Sequence, residues 1–492
     1  MLKTNNTIQA AWIALGSLFS FGFSIVSSAI LSRYFNKADY GTYKQVLYVY
    51  GTLQTVFTLG LPKAFSYFLP RVQPTQARNL IRKLTRLFFI LGSIFSILLF
   101  VFSPQIADFM KNPDLKQALR VFAIVPTLML PTMGLEGILA TYKKTKFMAV
   151  YTIITRVLML LCVALPVMIW NFGYIEAIMG FVVASMVDFA LALYLKYMPV
   201  KNQGKERCDI TYKEIFHFSL PVLYASLWGV IIASADQFFI SRYFGSEVFA
   251  EFSNGSMDLP FIGMITGACA SVLSPIFSKM NYEKVDPQKE IFPLWKNVFE
   301  KTVKLIYPIL IYCWIFGDVL MVLLYGQKYE CSTIYFRIKT IANFFTIIAV
   351  APLLINIGKV KLYANVHLVH AIVLVTLELL SIKIISSPYA ISVISLVCRV
   401  LNIFFLLAAS AKIFNMKLIQ LFPTKLIMLI TIPSVLLLGA EHFLLINVLD
   451  YSNILSLCIS FVSYMILFLF YSKCVNIDYI NVVKPLIGKK RN

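Results

Sequence analysis

Polar and apolar positions along this chain segregate on a coarse scale. Apolar runs of roughly 20 residues recur, each long enough at about 1.5 Å per residue to cross a ~30 Å hydrocarbon layer. Fourteen helical spans are predicted, near residues 8–31, 43–66, 86–103, 118–140, 148–170, 174–196, 215–240, 248–278, 298–324, 334–356, 362–383, 389–411, 424–446 and 453–473. The links between them are short, with no inserted soluble domain. The first run is long, begins almost at once and has no convincing small-x-small cleavage site, so it reads as a span and not as a removable signal peptide.

Composition agrees with this pattern. Of 492 residues 59% are hydrophobic and 14% charged, with a mean hydropathy of +0.79, whereas a soluble chain carries about a quarter charged residues. The net charge of +21 would suggest nucleic acid in a soluble protein. Here its placement gives a different meaning. With the N-terminus inside, Lys and Arg fall in a roughly three-to-one excess in the inner loops, around Arg71–Arg86, Lys143–Lys146, Lys196–Lys213, Lys279–Lys296, Lys359–Lys361, Lys412–Lys417 and the tail Lys489-Lys490-Arg491. That bias predicts an even span count and both termini in the cytoplasm. The eight cysteines lack CxxC spacing and mostly sit in apolar runs, as small hydrophobes do.

One stretch occurs twice. Ser32-Arg33-Tyr34-Phe35-Asn36-Lys37-Ala38-Asp39-Tyr40-Gly41 returns, altered, as Ser241-Arg242-Tyr243-Phe244-Gly245-Ser246-Glu247-Val248-Phe249-Ala250. The same register aligns Gly16, Ser20 and Ser24 with Ala225, Gly229 and Ala233, a small-residue stripe on one helix face where another backbone can approach. The pattern predicts an internal duplication. The expected architecture is an all-α polytopic membrane protein. It has two pseudo-symmetric six-helix lobes, 1–200 and 210–412, and a region 413–492 with helices thirteen and fourteen and a basic cytoplasmic tail.

Ionisable residues inside a bilayer need a partner, water or a role. Arg156 and Asp188 are equidistant from the Asn171-Phe172-Gly173 turn, and Glu378 and Arg399 flank Ser386-Ser387-Pro388, so each pair is expected at one depth. They form either intra-hairpin salt bridges or groups facing a wet cavity. Asp236, and then Glu251, Asn254 and Asp258 at helical spacing before Pro260, are candidates for taking up a proton or a sodium ion. The plainer reading is a hydrated helix start. Lys63, after Pro62, either attracts an anionic headgroup or snorkels to the surface. Arg33, Lys37 and Arg242 lie on the sparsely basic outer side, and Glu136 is interfacial. His367 and His370 are one turn apart but have no third ligand, so no metal is expected. No Walker A motif or Gly-rich nucleotide loop is present, and no cofactor is expected beyond H+ or Na+ as a coupling ion.

Leu31-Ser32-Arg33-Tyr34-Phe35 with Ala38-Asp39-Tyr40-Gly41-Thr42-Tyr43, Leu59-Gly60-Leu61, and Asp236-Gln237-Phe238-Phe239-Ile240 with Phe249-Ala250-Glu251-Phe252 resemble the signatures of the Wzx-type polysaccharide flippases. These belong to the multidrug/oligosaccharidyl-lipid/polysaccharide exporter superfamily. Ala250, where the first copy has Gly41, departs from the repeat. The resemblance implies a MATE-like V of two lobes around a cavity open alternately to each side. The implied cargo is an undecaprenyl-pyrophosphate-linked oligosaccharide for O-antigen, capsule or exopolysaccharide, with Lys63, Arg156, Arg399 and Arg33 as its cationic contacts. It further implies a bacterial inner-membrane location among membrane lipids, work alongside a polymerase and chain-length machinery, and no nucleic acid. The other transport readings are a cation-coupled drug antiporter of the MATE type and a lipid II flippase. A polymerase or ligase would be expected to bring a large outer loop with catalytic Arg or His, which the spacing does not provide.

Overall fold

The computed structural model describes residues 6–204 and 206–479. The basic tail Lys489-Lys490-Arg491, Lys205 and the side chain of Ala225 lie outside the described residues. Among those residues all regular structure is helical. In a hydrocarbon layer this is the expected outcome, because a helix satisfies its backbone hydrogen bonds within one segment. Helix covers every predicted run, but 11 helices are long and apolar enough to cross a membrane by themselves. A twelfth span arises if Pro287–Ile315 and Gly317–Tyr325, bent by 71°, count as one. The chain is therefore a multi-pass membrane protein, with 11 or 12 candidate spans among the described residues.

Breaks divide some of the predicted runs. The second predicted run is divided into Lys37–Phe57 and Pro62–Phe68. Leu59 (φ 49°) and Gly60 (φ 70°) are left-handed there, and Pro62 starts the next helix without an N–H to satisfy. Between predicted spans seven and eight the backbone leaves the helical conformation at Gly245 (φ 85°, ψ 177°), so two helical segments meet there within Tyr212–Gly255, and the chain breaks again before Pro260. Glycine tolerates that φ; a residue with a Cβ would be strained.

Contacts divide the chain into two compact units, Met1–Ser253 and Asn254–Asn492. In the first, the small-residue stripe of helix Asn6–Tyr34 packs on helix Thr145–Met159. A Cβ added at Gly16 would lie 3.1 Å from the Cα of Ala149. Such close approach matters because lipid tails are as apolar as side chains, leaving van der Waals contact and polar bonds to join helices. Its second copy behaves differently: Gly229 has no neighbouring atom within 4 Å of an added Cβ. Stacked rings fill the interior, with Phe57 on Phe95 at 4.4 Å and Phe65 on Phe88 at 6.1 Å. Ile97, Phe100 and Val101 on helix Pro74–Val101 remain exposed, a face that suits lipid.

In the second unit tyrosine hydroxyls join helices. Tyr312 donates to the Leu457 carbonyl at 2.9 Å, Tyr464 to Ser434 Oγ at 2.9 Å and Tyr471 to the Leu429 carbonyl at 3.1 Å. These bonds fasten helices Thr424–His442 and Asn453–Cys474, the two segments without a counterpart in the repeat, into that unit. Trp295 Nε1 donates to the Ala349 carbonyl at 3.1 Å, where a helix has just broken before Val350.

Candidate functional site

The duplicated stretches meet within the first unit. Asn36 caps helix Lys37–Phe57 by accepting the Asp39 N–H at 2.7 Å, so the chain turns sharply after Tyr34 and starts helix again at once. Lys37 Nζ donates to Glu251 Oε1 at 2.5 Å, with 28% and 13% of the side chains exposed. A turn further on, a Cβ at Gly41 would overlap the Ser246 carbonyl. Gln45, fully buried, donates to Ser241 Oγ at 2.7 Å. Asn112 donates to Gln45 Oε1 at 2.5 Å and to Thr42 Oγ1 at 2.9 Å. Tyr48 donates to the Ser234 carbonyl at 3.2 Å and sets its ring edge-on to Phe249.

Residues 37 to 48 of the first copy thus clasp residues 234 to 251 around the second. The seam is mostly hydrogen bonds with one charge-assisted contact. Such bonds exchange for water at small net cost, whereas interdigitated apolar cores do not. Arg242 lies beside this clasp, its guanidinium 4.5 Å from the Phe109 ring centroid. Arg33 is exposed at the preceding corner.

Among the described residues Arg156 and Asp188 form no ion pair within 4 Å. Arg156 is exposed and donates through Nε to Ser20 Oγ at 2.8 Å, on the small-residue stripe. Asp188 is 4% exposed; it interacts with the Tyr151 hydroxyl and, at longer range, with Arg156. Its Oδ1 has no hydrogen-bond partner. In the second unit Glu378 is fully buried on helix Val360–Ile384 and Arg399 half-buried on helix Pro388–Ile413. His370 is buried on the same helix as Glu378, and His367 sits 4.3 Å from the Tyr363 ring. Among the described residues no three His, Cys, Asp or Glu side chains group to hold a metal ion.

The acidic candidates separate. Glu251 belongs to the clasp. Asp258 is largely exposed and pairs with Lys339 at 3.0 Å. Asn254 is buried. Asp236 is half-buried with its Oδ1 unbonded. Lys63 is exposed on helix Pro62–Phe68, and Glu136 is exposed on helix Leu135–Thr141.

Two polar centres were not anticipated from the sequence. Lys196, counted there among loop cations, is 0% exposed. Its Nζ donates to the Met133 carbonyl at 2.5 Å and lies 4.6 Å from the Phe65 ring centroid. Met133 follows the 3-10 turn Leu130–Thr132, where the span is broken and a carbonyl is left without a helical donor. In the second unit Asp318 accepts from His442 at 3.0 Å and pairs with Arg337 at 3.4 Å. Arg337 also donates to the carbonyls of Trp314 and Ile315 at 3.1 Å each, closing the helix end at the 71° bend. The polar residues themselves were the available signal: an arginine, a histidine and an aspartate near the ends of three different apolar runs.

Comparisons with known proteins place this geometry. The lipid II flippase MurJ in an inward closed conformation superposes with a TM-score of 0.70 at 15% identity, over 94% of this chain and 98% of that one. A mutant of the Vibrio cholerae MATE transporter VcmN gives 0.57 at 13% identity, over 83% and 96%. A MOP superfamily transporter from Pyrococcus furiosus gives 0.56 at 13%, over 82% and 95%. At these identities the likeness is one of fold. No curated protein matches the sequence. A family model described as "Polysaccharide biosynthesis protein" matches residues 30–334, a stretch that holds both repeated motifs and the clasp between them and more than half of the chain. The protein is a multi-pass membrane protein of the polysaccharide biosynthesis family, with the fold shared by the MurJ flippase and the MATE transporters.

Proposed function

We propose that this protein is a flippase that moves an undecaprenyl-pyrophosphate-linked oligosaccharide across the bacterial cytoplasmic membrane by alternating access. The cargo would supply O-antigen, capsule or exopolysaccharide synthesis. The single observation that carries this reading is the clasp, a polar seam formed where the two copies of the motif meet, inside the stretch that the family model matches. In the proposed cycle the clasp is the outer gate: closed while the headgroup enters from the cytoplasm, open while it leaves. Cytoplasmic termini, lobes over 1–200 and 210–412 and the added region 413–492 complete the arrangement.

Lys63, Arg156, Arg399 and Arg33 would contact the anionic headgroup, since a pyrophosphate left unpaired at low dielectric is costly. Asp188 is the favoured coupling group for H+ or Na+ because one buried oxygen has no donor, and Asp236 is the next. The same observation at Asp188 favours a second reading, a cation-coupled antiporter of drug-like solutes.

Deleting the gene in its own host distinguishes the two. Accumulated complete repeat units on the lipid carrier, with surface glycan lost, are expected. Normal surface glycan and no accumulated intermediate, in a strain with no substituting flippase, would overturn the proposal.

A further inference from the structure

Helix Pro74–Val101 begins with a polar segment that the clasp and the buried charges do not use. Arg78, Arg82 and Arg86 stand four residues apart and share one face, while Ala77, Ile81, Leu84 and Phe88 are buried. The chain from Glu206 to Tyr212 returns to cover this face and is fastened to it. Thr75 donates to Glu206 Oε2 at 2.7 Å, Gln76 to Asp209 Oδ2 at 2.9 Å and Lys83 Nζ to the Ile210 carbonyl at 2.5 Å. Tyr212 lies against Lys83, 4.7 Å from ring centroid to ammonium.

The cleft there is open to its surroundings, measures 730 Å³ and is lined by Arg82, Lys83, Arg86 and Arg207 beside Asn79 and Tyr212. A neighbouring cleft of 370 Å³ shares Asn79 and Arg82 and adds Arg78 and Tyr197. Among the described residues none of these four arginines has a carboxylate within 4 Å, and Glu206 and Asp209 face Thr75 and Gln76. Membrane orientation requires only that cations lie on one side. It does not require them to converge on a concave surface that a fastened loop borders, where like charges repel.

We infer that this cleft is a binding site for a diphosphate group, and that it captures the diphosphate of the lipid-linked cargo before transport. Three guanidinium forks, Arg82, Arg86 and Arg207, with the Lys83 ammonium exceed what one phosphodiester can occupy and match the several non-bridging oxygens of a diphosphate. Naming the cargo as the source rests on the proposed function; the binding of diphosphate does not.

The test uses the full chain purified into nanodiscs and titrated calorimetrically with inorganic pyrophosphate, then with orthophosphate. Pyrophosphate is expected to bind at least tenfold more tightly than orthophosphate, with Arg82→Gln/Arg86→Gln losing at least tenfold. Arg207→Gln, on the exposed loop, is expected to weaken binding as well while leaving the helix face intact. Phosphatidylglycerol in the nanodisc is expected not to displace pyrophosphate. Equal binding of the two anions, unchanged binding in both variants, or displacement by phosphatidylglycerol would overturn the assignment. If the deletion strain accumulates a carrier without a diphosphate, the flippase cargo is wrong while the titration still reports on the cleft.

Discussion

At the scale of single residues, the contacts that matter are those whose partners lie far away in sequence. The Lys37–Glu251 contact spans 214 positions, and nothing in either stretch alone marks it. What the sequence showed was that the two stretches are copies; it did not show that they touch. A charge-assisted, part-buried bond contributes about 1–3 kcal/mol, enough to shift a two-state clasp roughly tenfold. Lys37→Ala should therefore raise labelling of a Ser246→Cys reporter by a membrane-impermeant maleimide about tenfold, and Lys37→Glu with Glu251→Lys should restore protection. Equal labelling in all three would remove the gate. Lys196 was legible only as a basic residue near a span end, because hydropathy carries no information on which way a helix face turns. Its ammonium closes a broken helix. Lys196→Met should leave the Met133 carbonyl without that donor and cost about 1–3 kcal/mol, read as a melting temperature lowered by several degrees in detergent. An unchanged melting temperature would show that the bond contributes nothing to stability.

At the scale of elements, apolar run length placed helix over all the predicted segments, since burial in lipid demands it regardless of neighbours. Helix breaks were less legible. Pro260 and the link predicted after span seven marked two of them, at Leu259 and Gly245, whereas the breaks at Leu59–Gly60 and Phe316 fall inside predicted runs. The hairpin arithmetic for Arg156 with Asp188 gave a common depth but not rotation about the helix axis, so Arg156 turns to Ser20. Two elements can be tested directly. Gly41→Val should push helix Lys37–Phe57 off the Ser246 backbone and abolish surface glycan with the protein still inserted; retained glycan would mean the close approach is not needed. His442→Ala removes one of the two side chains that hold Asp318, beside the Val319 N–H, at the 71° bend. It should lower the melting temperature more than the same change at His217, near a span end, and equal effects would contradict a bracing role.

For the whole molecule, composition and span pattern were sufficient for the class, and two degenerate motifs for the family. Cargo chemistry was not legible, because generic hydroxyl and aromatic contacts recognise many sugars. Arg399 and Arg156 sit on helices of a membrane transporter fold, and their proposed role is to meet a cargo that carries its own negative charge. The most direct measurement is transport by purified protein in liposomes containing the lipid-linked oligosaccharide identified from the deletion strain. Protein-dependent movement of the headgroup to the opposite leaflet, reduced at least tenfold by Arg399→Ala in equally folded protein, is the expected result. Movement no faster than in protein-free liposomes, from protein shown to be folded, would contradict the account.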